Sequence, residues 1–317
     1  MSNHTTVTEF LLLGFSNIRE LQILHFVVFL VLYLAALMGN LLTVTAIVLD
    51  HRLHTPMYFF LANLAVLDIG CISAVVPKSM ANSLSNTTLI SYSGCVTQVF
   101  FLLFSVGADV FLLTVMAYDR YVAICRPLHY ERVMNWRACV QMATSVWVGG
   151  VLNSTLHTGN IYTMSFCHGH VVDQFFCEIP RLLKLACSDS YRTENGLIVL
   201  SICLLLICLV FTFVSYVQIF KAVLRIPSEQ GRRKAFSTCL PHLIVISVLI
   251  GTGSFSYLKP ISGTISRLDL ILAVAYSMVP PMLNPVIYSM RNKELKASLR
   301  KLTRWRLFPK NKKSMSL

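Results

Sequence analysis

Charge is what this sequence lacks. Charged residues make up 13% of its 317 positions, against roughly 25% in a typical water-soluble domain. No Cys and His spacing of the kind that holds a metal occurs, and no nucleophile with a base beside it is discernible. An intramembrane enzyme is therefore not expected, and no cofactor is implied. Repeats, low-complexity blocks and a soluble catalytic domain are also missing. A transporter or channel built on paired halves would show matching interrupted helices, but the prolines near the end of the chain have no counterpart in its first half.

What is abundant is apolar sequence, at 55%. Seven windows stand out, at roughly 24–48, 57–77, 95–118, 138–156, 197–220, 235–258 and 268–290. Each is close to the ~20 residues that carry a helix across the hydrocarbon core. Lipid offers the backbone no hydrogen-bond partner, so such runs must be helices. The expected fold is an all-α membrane protein, a seven-transmembrane helix bundle with a short amphipathic eighth helix. Residues 1–23 form an outer arm, 24–290 the bundle, and 291–317 the amphipathic helix and basic tail.

The formal net charge of +13 would suggest nucleic acid if it covered one soluble face, but it does not. An odd number of spans puts the termini on opposite sides, and one side then carries 20 Lys and Arg with 5 Asp and Glu, the other 7 and 7. The positive-inside rule makes the basic side cytoplasmic and the N-terminus external, as in a plasma-membrane protein. In NKELKASLRKL (292–302), Leu295, Leu299 and Leu302 share one helical face ringed by basic residues, a pattern suited to an anionic lipid surface.

MSNHTTVTEFLLLGF lacks the basic start and long apolar core of a cleavable signal, so the first span is expected to target the chain. Asn3 and Asn86 fit glycosylation sequons on the outer side, whereas the match at Asn153 falls within a span. Cys95, Cys167, Cys177 and Cys187 lie on the side where oxidation is permitted. Their three pairings cannot be separated by spacing.

Two acids lie deep in the spans, Asp68 in NLAVLDIG and Asp109 in GADVFLLT. Intramembrane charges are costly and usually functional. With Asn40 and Asn284 as neutral ligands from spans one and seven, the set could hold a cation or a shared proton, or simply a neutral packing network. Pro280, Pro281 and Pro285 interrupt span seven and invite a kink.

MAYDRYVAIC (116–125) places an ion pair, Asp119 and Arg120, at the end of an apolar run. Together with GN (39–40), LHTPMYFFLANLAVLDI (53–69), PLHY (127–130), SY (215–216), KAFSTC with His242, and PMLNPVIYSMRN (281–292), it resembles the olfactory receptors within the rhodopsin-like G-protein-coupled receptors. The resemblance runs from about Glu9 to Asn292. It implies odorant binding and activation of a stimulatory heterotrimeric G protein that raises cyclic AMP. It also implies that Arg120 is held by Asp119 at rest and freed when span six swings outward, a task suited to a permanently charged guanidinium. Tyr121, Tyr216, Asn284, Pro285 and Tyr288 would belong to the same activation machinery, with His242 meeting Arg120 at rest. The resemblance further bridges Cys95 to Cys177 and Cys167 to Cys187. One departure stands in span six, where Ile250 occupies a position that is aromatic in many relatives.

Helical spacing sets Leu102, Leu103, Val106 and Gly107 in the outer half of span three, to be met by Leu200, Ser201 and Leu204 from span five and Ile250, Ser254 and Tyr257 from span six. An apolar cavity with a few hydroxyls suits a small neutral molecule. No acid is expected in the outer halves of these three spans, which excludes a protonated amine left without a counter-charge.

Overall fold

The computed structural model describes residues 8–16, 18–85, 87–187, 192–258, 267–291 and 293–307, without side chains at 255–258, 267–269, 289–291 and 303–307. Asn3 and Asn86, and the side chain of Tyr257, lie outside the described residues. Seven helices of 25 to 34 residues dominate: α1 (Arg19–Leu49), α2 (Pro56–Ser85), α3 (Tyr92–Cys125), α5 (Trp136–Tyr162), α7 (Arg192–Leu224), α8 (Glu229–Leu258) and α9 (Arg267–Arg291). Three shorter ones are α4 (Tyr130–Val133), α6 (Ile179–Leu185) and α10 (Lys293–Leu307). Among the described residues, six helices are long and apolar enough to cross a membrane; α5 is long enough but more polar.

The polarity of α5 has a use. Hydroxyls along it return to their own helix, Ser154 to the Gly150 carbonyl at 2.8 Å and Thr158 to the Ser154 carbonyl at 2.7 Å, which satisfies them without water. Small residues let it approach α3 closely: a methyl group at Gly150 would meet Phe104 at 3.1 Å and Ala108 at 3.3 Å. Helix α3 is central and packs on α2, α5, α7 and α8, while α1 and α9 close the bundle against α2. Side-chain caps start two of the helices, Ser91 accepting from the Gly94 amide at 3.1 Å and Asn135 from the Ala138 amide at 3.0 Å. Outward faces stay apolar and exposed, as at Val31, Ile207, Val210 and Phe213, the surface expected against lipid.

A small cap covers the outer end. Strands β1 (Glu9–Leu12), β2 (Leu89–Ser91) and β3 (Val171–Val172) form a sheet in the order β2-β1-β3, with β1 antiparallel to β2 (Phe10 opposite Ile90) and parallel to β3 (Leu11 opposite Val171). Disulfides Cys95–Cys177 and Cys167–Cys187 fasten the long segment between α5 and α7 to the top of α3 and to itself. Gln98 adds a polar rivet, donating to the Ala74 carbonyl at 3.1 Å and accepting from the Cys177 amide at 2.8 Å.

Candidate functional site: an ionic inner end, a polar middle and an apolar outer half

At the inner end of α3, Arg120 lies 3.1 Å from Asp119, whose side chain is 1% exposed. Asp119 also accepts from the Tyr130 hydroxyl at 2.8 Å, so the helical turn at PLHY reaches back to hold the acid. Burial, and then the neighbouring Asp119 charge, push the Tyr130 phenol up, keeping it a neutral donor. Tyr130 was legible in the sequence only as part of a motif, without a partner. Beside this group, Tyr216 of α7 and His242 of α8 share a hydrogen bond, in a cluster with Ala117, Ile219, Val223 and Cys239 against which Tyr121 packs. Among the described residues, no hydrogen bond joins His242 to Arg120. The Nδ1 of His242 goes to Tyr216, its Nε2 has no partner among the described residues, and the guanidinium is engaged by the stronger acceptor, a carboxylate. The Tyr288 hydroxyl is likewise buried with no described partner.

In the middle, the four expected polar residues divide. The Asn284 amide donates to both Asp68 oxygens, at 2.9 and 3.2 Å, joining α9 to α2. Asn40 instead donates to the carbonyls of Pro281 at 2.9 Å and Ala36 at 3.0 Å. A methyl group at Gly39 would stand 3.2 Å from Pro285, so the glycine lets α1 come close enough for its neighbour to reach α9. Asp109 is buried, and its Oδ1, like Ser105 Oγ, has no partner among the described residues.

The outer half differs most from expectation. Leu102 is buried with Phe175, Phe176, Ala273 and Tyr276, and Val106 packs against that group. Leu103 belongs to another cluster, around the Cys95–Cys177 bridge, and Gly107 faces Asn153 of α5. Leu200 and Leu204 stand 51% and 37% exposed, on the outward face of α7. They do not meet Leu102, because the inward face of that stretch is polar. Ser201 donates to Asn153 Oδ1 and meets His157 Nε2, both at 3.0 Å. His157 Nδ1 pairs with Glu194, whose other oxygen accepts from Asn160 at 2.8 Å. Since the Ser201 proton goes to Asn153, the hydroxyl accepts from His157 Nε2. Ile250 lines a separate cavity of about 20 Å³ with Val110, Leu113, Thr212 and Leu249, and Ser254 is half-buried.

Buried acids therefore exist outside the two expected. Glu194 is fully buried, and Glu178, in the segment above the bundle, binds the Tyr276 hydroxyl, Gln174 at 3.3 Å and Arg181 at 3.3 Å. His157 and Glu194 fell just beyond the apolar windows. A signal was present nonetheless: Asn153, His157 and Asn160 recur at four and three residues, a polar stripe on one helical face. Among the described residues, no group of three or more His, Cys, Asp and Glu is gathered for a metal ion.

The profile of the family described as "Olfactory receptor" matches residues 29–304. Among curated proteins, human olfactory receptor 14A16 is 48% identical over 310 residues, covering 98% of this chain and 100% of its own. Human olfactory receptor 14I1 is 51% identical over 310 residues, covering 98% of each, and gorilla olfactory receptor 1G1 is 47% identical over 300 residues, covering 95% of this chain and 96% of its own. The chain belongs to the olfactory receptor family, multi-pass membrane receptors that detect odorants through G-protein signalling and are not enzymes.

Proposed function

We propose that the chain binds small neutral volatile molecules in the outer half of a seven-span bundle and activates a stimulatory heterotrimeric G protein, raising cyclic AMP. In this reading the N-terminus is external, Asn3 and Asn86 carry glycans, α10 lies on the inner leaflet, and the receptor acts at the plasma membrane. The observation that carries it is the inner-end arrangement, in which Asp119 holds Arg120 while a Tyr130 hydroxyl secures Asp119. A guanidinium so held has part of its N–H donor set occupied and withheld from an incoming partner. Outward movement of α8 would part His242 from Tyr216, opening the space beside Arg120 and leaving Tyr216 and Tyr288 to face it. In the middle of the bundle, the oxygens of Asp109 and Ser105 that have no partner among the described residues suit a sodium ion or a shared proton, with the Asp68–Asn284 pair as further ligands.

Agonist chemistry follows from which acids are already engaged. Glu194 and Glu178 have both carboxylate oxygens paired, so neither is a spare counter-charge for an ammonium, and Leu102 and Val106 offer apolar surface only. The reading takes Leu102 and Val106 of α3, with Ser254 and Tyr257 of α8, as its contacts, and leaves Leu200 and Leu204 to the lipid.

The test is Arg120→Ala, expected to reach the cell surface because one boundary charge contributes little to insertion, yet to lose agonist-driven cyclic AMP production. Full signalling from a surface-verified variant would reject the proposed role of Arg120.

A further inference from the structure

A cavity of about 100 Å³ lies at the outer end, enclosed by the chain after β1, the first turns of α1, the end of α2 and Phe175. At about 15 Å³ for each water-sized group, it has room for roughly seven. It is separate from the cavity at Ile250, shares Phe175 with the cluster around Leu102, and is lined on one side by rings. Phe15 sits 5.0 Å from His25 and 4.8 Å from Phe175, centroid to centroid. The other side is polar, with Ser79, Asn82, Ser83 and Thr87.

Two atoms in these walls are buried without a hydrogen-bond partner among the described residues: His25 Nδ1 and Asn82 Oδ1. Buried polar atoms in folded proteins nearly always have partners, and an orphan calls for an explanation. Neither can be satisfied by the rings facing them. None of the described lining residues is Asp, Glu, Lys or Arg. The nearby guanidinium of Arg19 is committed to the carbonyls of Ser83 and Leu84, at 3.2 and 2.8 Å. The cavity thus offers an obligate acceptor, a nitrogen that donates or accepts according to its tautomer, aromatic walls and no counter-charge.

We propose that this vestibule is a second ligand site, which takes a small neutral hydroxyl compound of about seven heavy atoms, a phenol or short alcohol. The hydroxyl donates to Asn82 Oδ1 and accepts from His25 Nδ1 in the tautomer that protonates it, and the apolar body lies against Phe15 and Phe175. A cation is disfavoured by the missing acid, and an anion by Asn82 Oδ1, which can only accept.

Cysteine protection tests this on purified full-length receptor in lipid nanodiscs. Ser83→Cys is reacted with a methanethiosulfonate reagent and read by peptide mass spectrometry at position 83, so the free cysteines elsewhere do not contribute. Phenol is the probe and benzene its hydroxyl-free control. Phenol at twice its dissociation constant is expected to slow labelling about threefold, by simple occupancy, with benzene protecting less. His25→Phe keeps a ring for Phe15 to contact but removes the nitrogens, and it is expected to abolish the difference between phenol and benzene. Thr87→Cys gives the same readout should Ser83→Cys fold poorly, and it leaves the Asn86 sequon intact. Labelling unaffected by phenol, equal protection by benzene, a thiol that never reacts, or protection unchanged in His25→Phe would each overturn the proposal.

Discussion

Pro285 has no N–H to give the Pro281 carbonyl one turn back, and the Asn40 amide reaches across from α1 to supply the missing donor at 2.9 Å. Replacing Asn40 with Leu leaves that carbonyl orphaned in a place water does not reach, at a cost of about 1–3 kcal/mol. The expected outcome is a clearly lower thermal midpoint for the purified receptor; an unchanged midpoint would mean another group satisfies Pro281. Both halves of this contact were visible in the sequence, as GN at 39–40 and as the prolines of PPMLNP, but their complementarity was not. A donor lost on one helix and a donor offered on another are 241 positions apart, and no local periodicity connects them. His157 and Glu194 escaped for a different reason. A hydropathy window stops at the first polar residues, which is where a paired acid can sit at a helix end.

Helix α10 is held to the bundle by polar ties at its first turns. The Tyr58 hydroxyl donates to Glu294 at 2.9 Å, and Ser298 donates to Asp50, which also pairs with Arg52 at 2.9 Å. Arg52 first, and then Ser298, hold the Asp50 carboxyl well below the usual carboxylate range, so it stays an acceptor throughout physiological pH. Ser298→Asp sets a second carboxylate against Asp50. Amide exchange across 293–302 is expected to become several-fold faster, while the exchange of α3 is unaffected; unchanged exchange in α10 would show that Leu295 packing alone holds it. The amphipathic pattern at 292–302 made the helix readable, and buried Leu295 is the residue its apolar face predicts. Strand β1 was not readable. EFLL is an acid followed by three apolar residues, with no alternation, and its partners lie about 80 and 160 positions downstream.

Across the whole molecule, apolar surface on the helices and paired acids within them favour one kind of agonist. Neutral oxygenated compounds of roughly ten heavy atoms should activate in the micromolar range, within the per-atom limit for small ligands, and matched primary amines should be weaker by tenfold or more because, among the described residues, a desolvated ammonium finds no free carboxylate in the outer half above Asp109. A dose-response panel of paired alcohols, esters and amines decides this, and amines emerging as the more potent class would show the outer half to be misread. The cap carries a consequence of another kind, one of timing. β1 is made at residues 9–12, but β3, its parallel neighbour, comes only at 171–172, after four long helices. At about 5–20 residues per second of synthesis, the first strand waits roughly ten to thirty seconds with an unpaired edge. The finished sheet therefore exists only once the first half of the bundle has been laid down, and until then an unclosed N-terminal edge marks, to any chaperone that binds extended chain, a receptor whose assembly is incomplete.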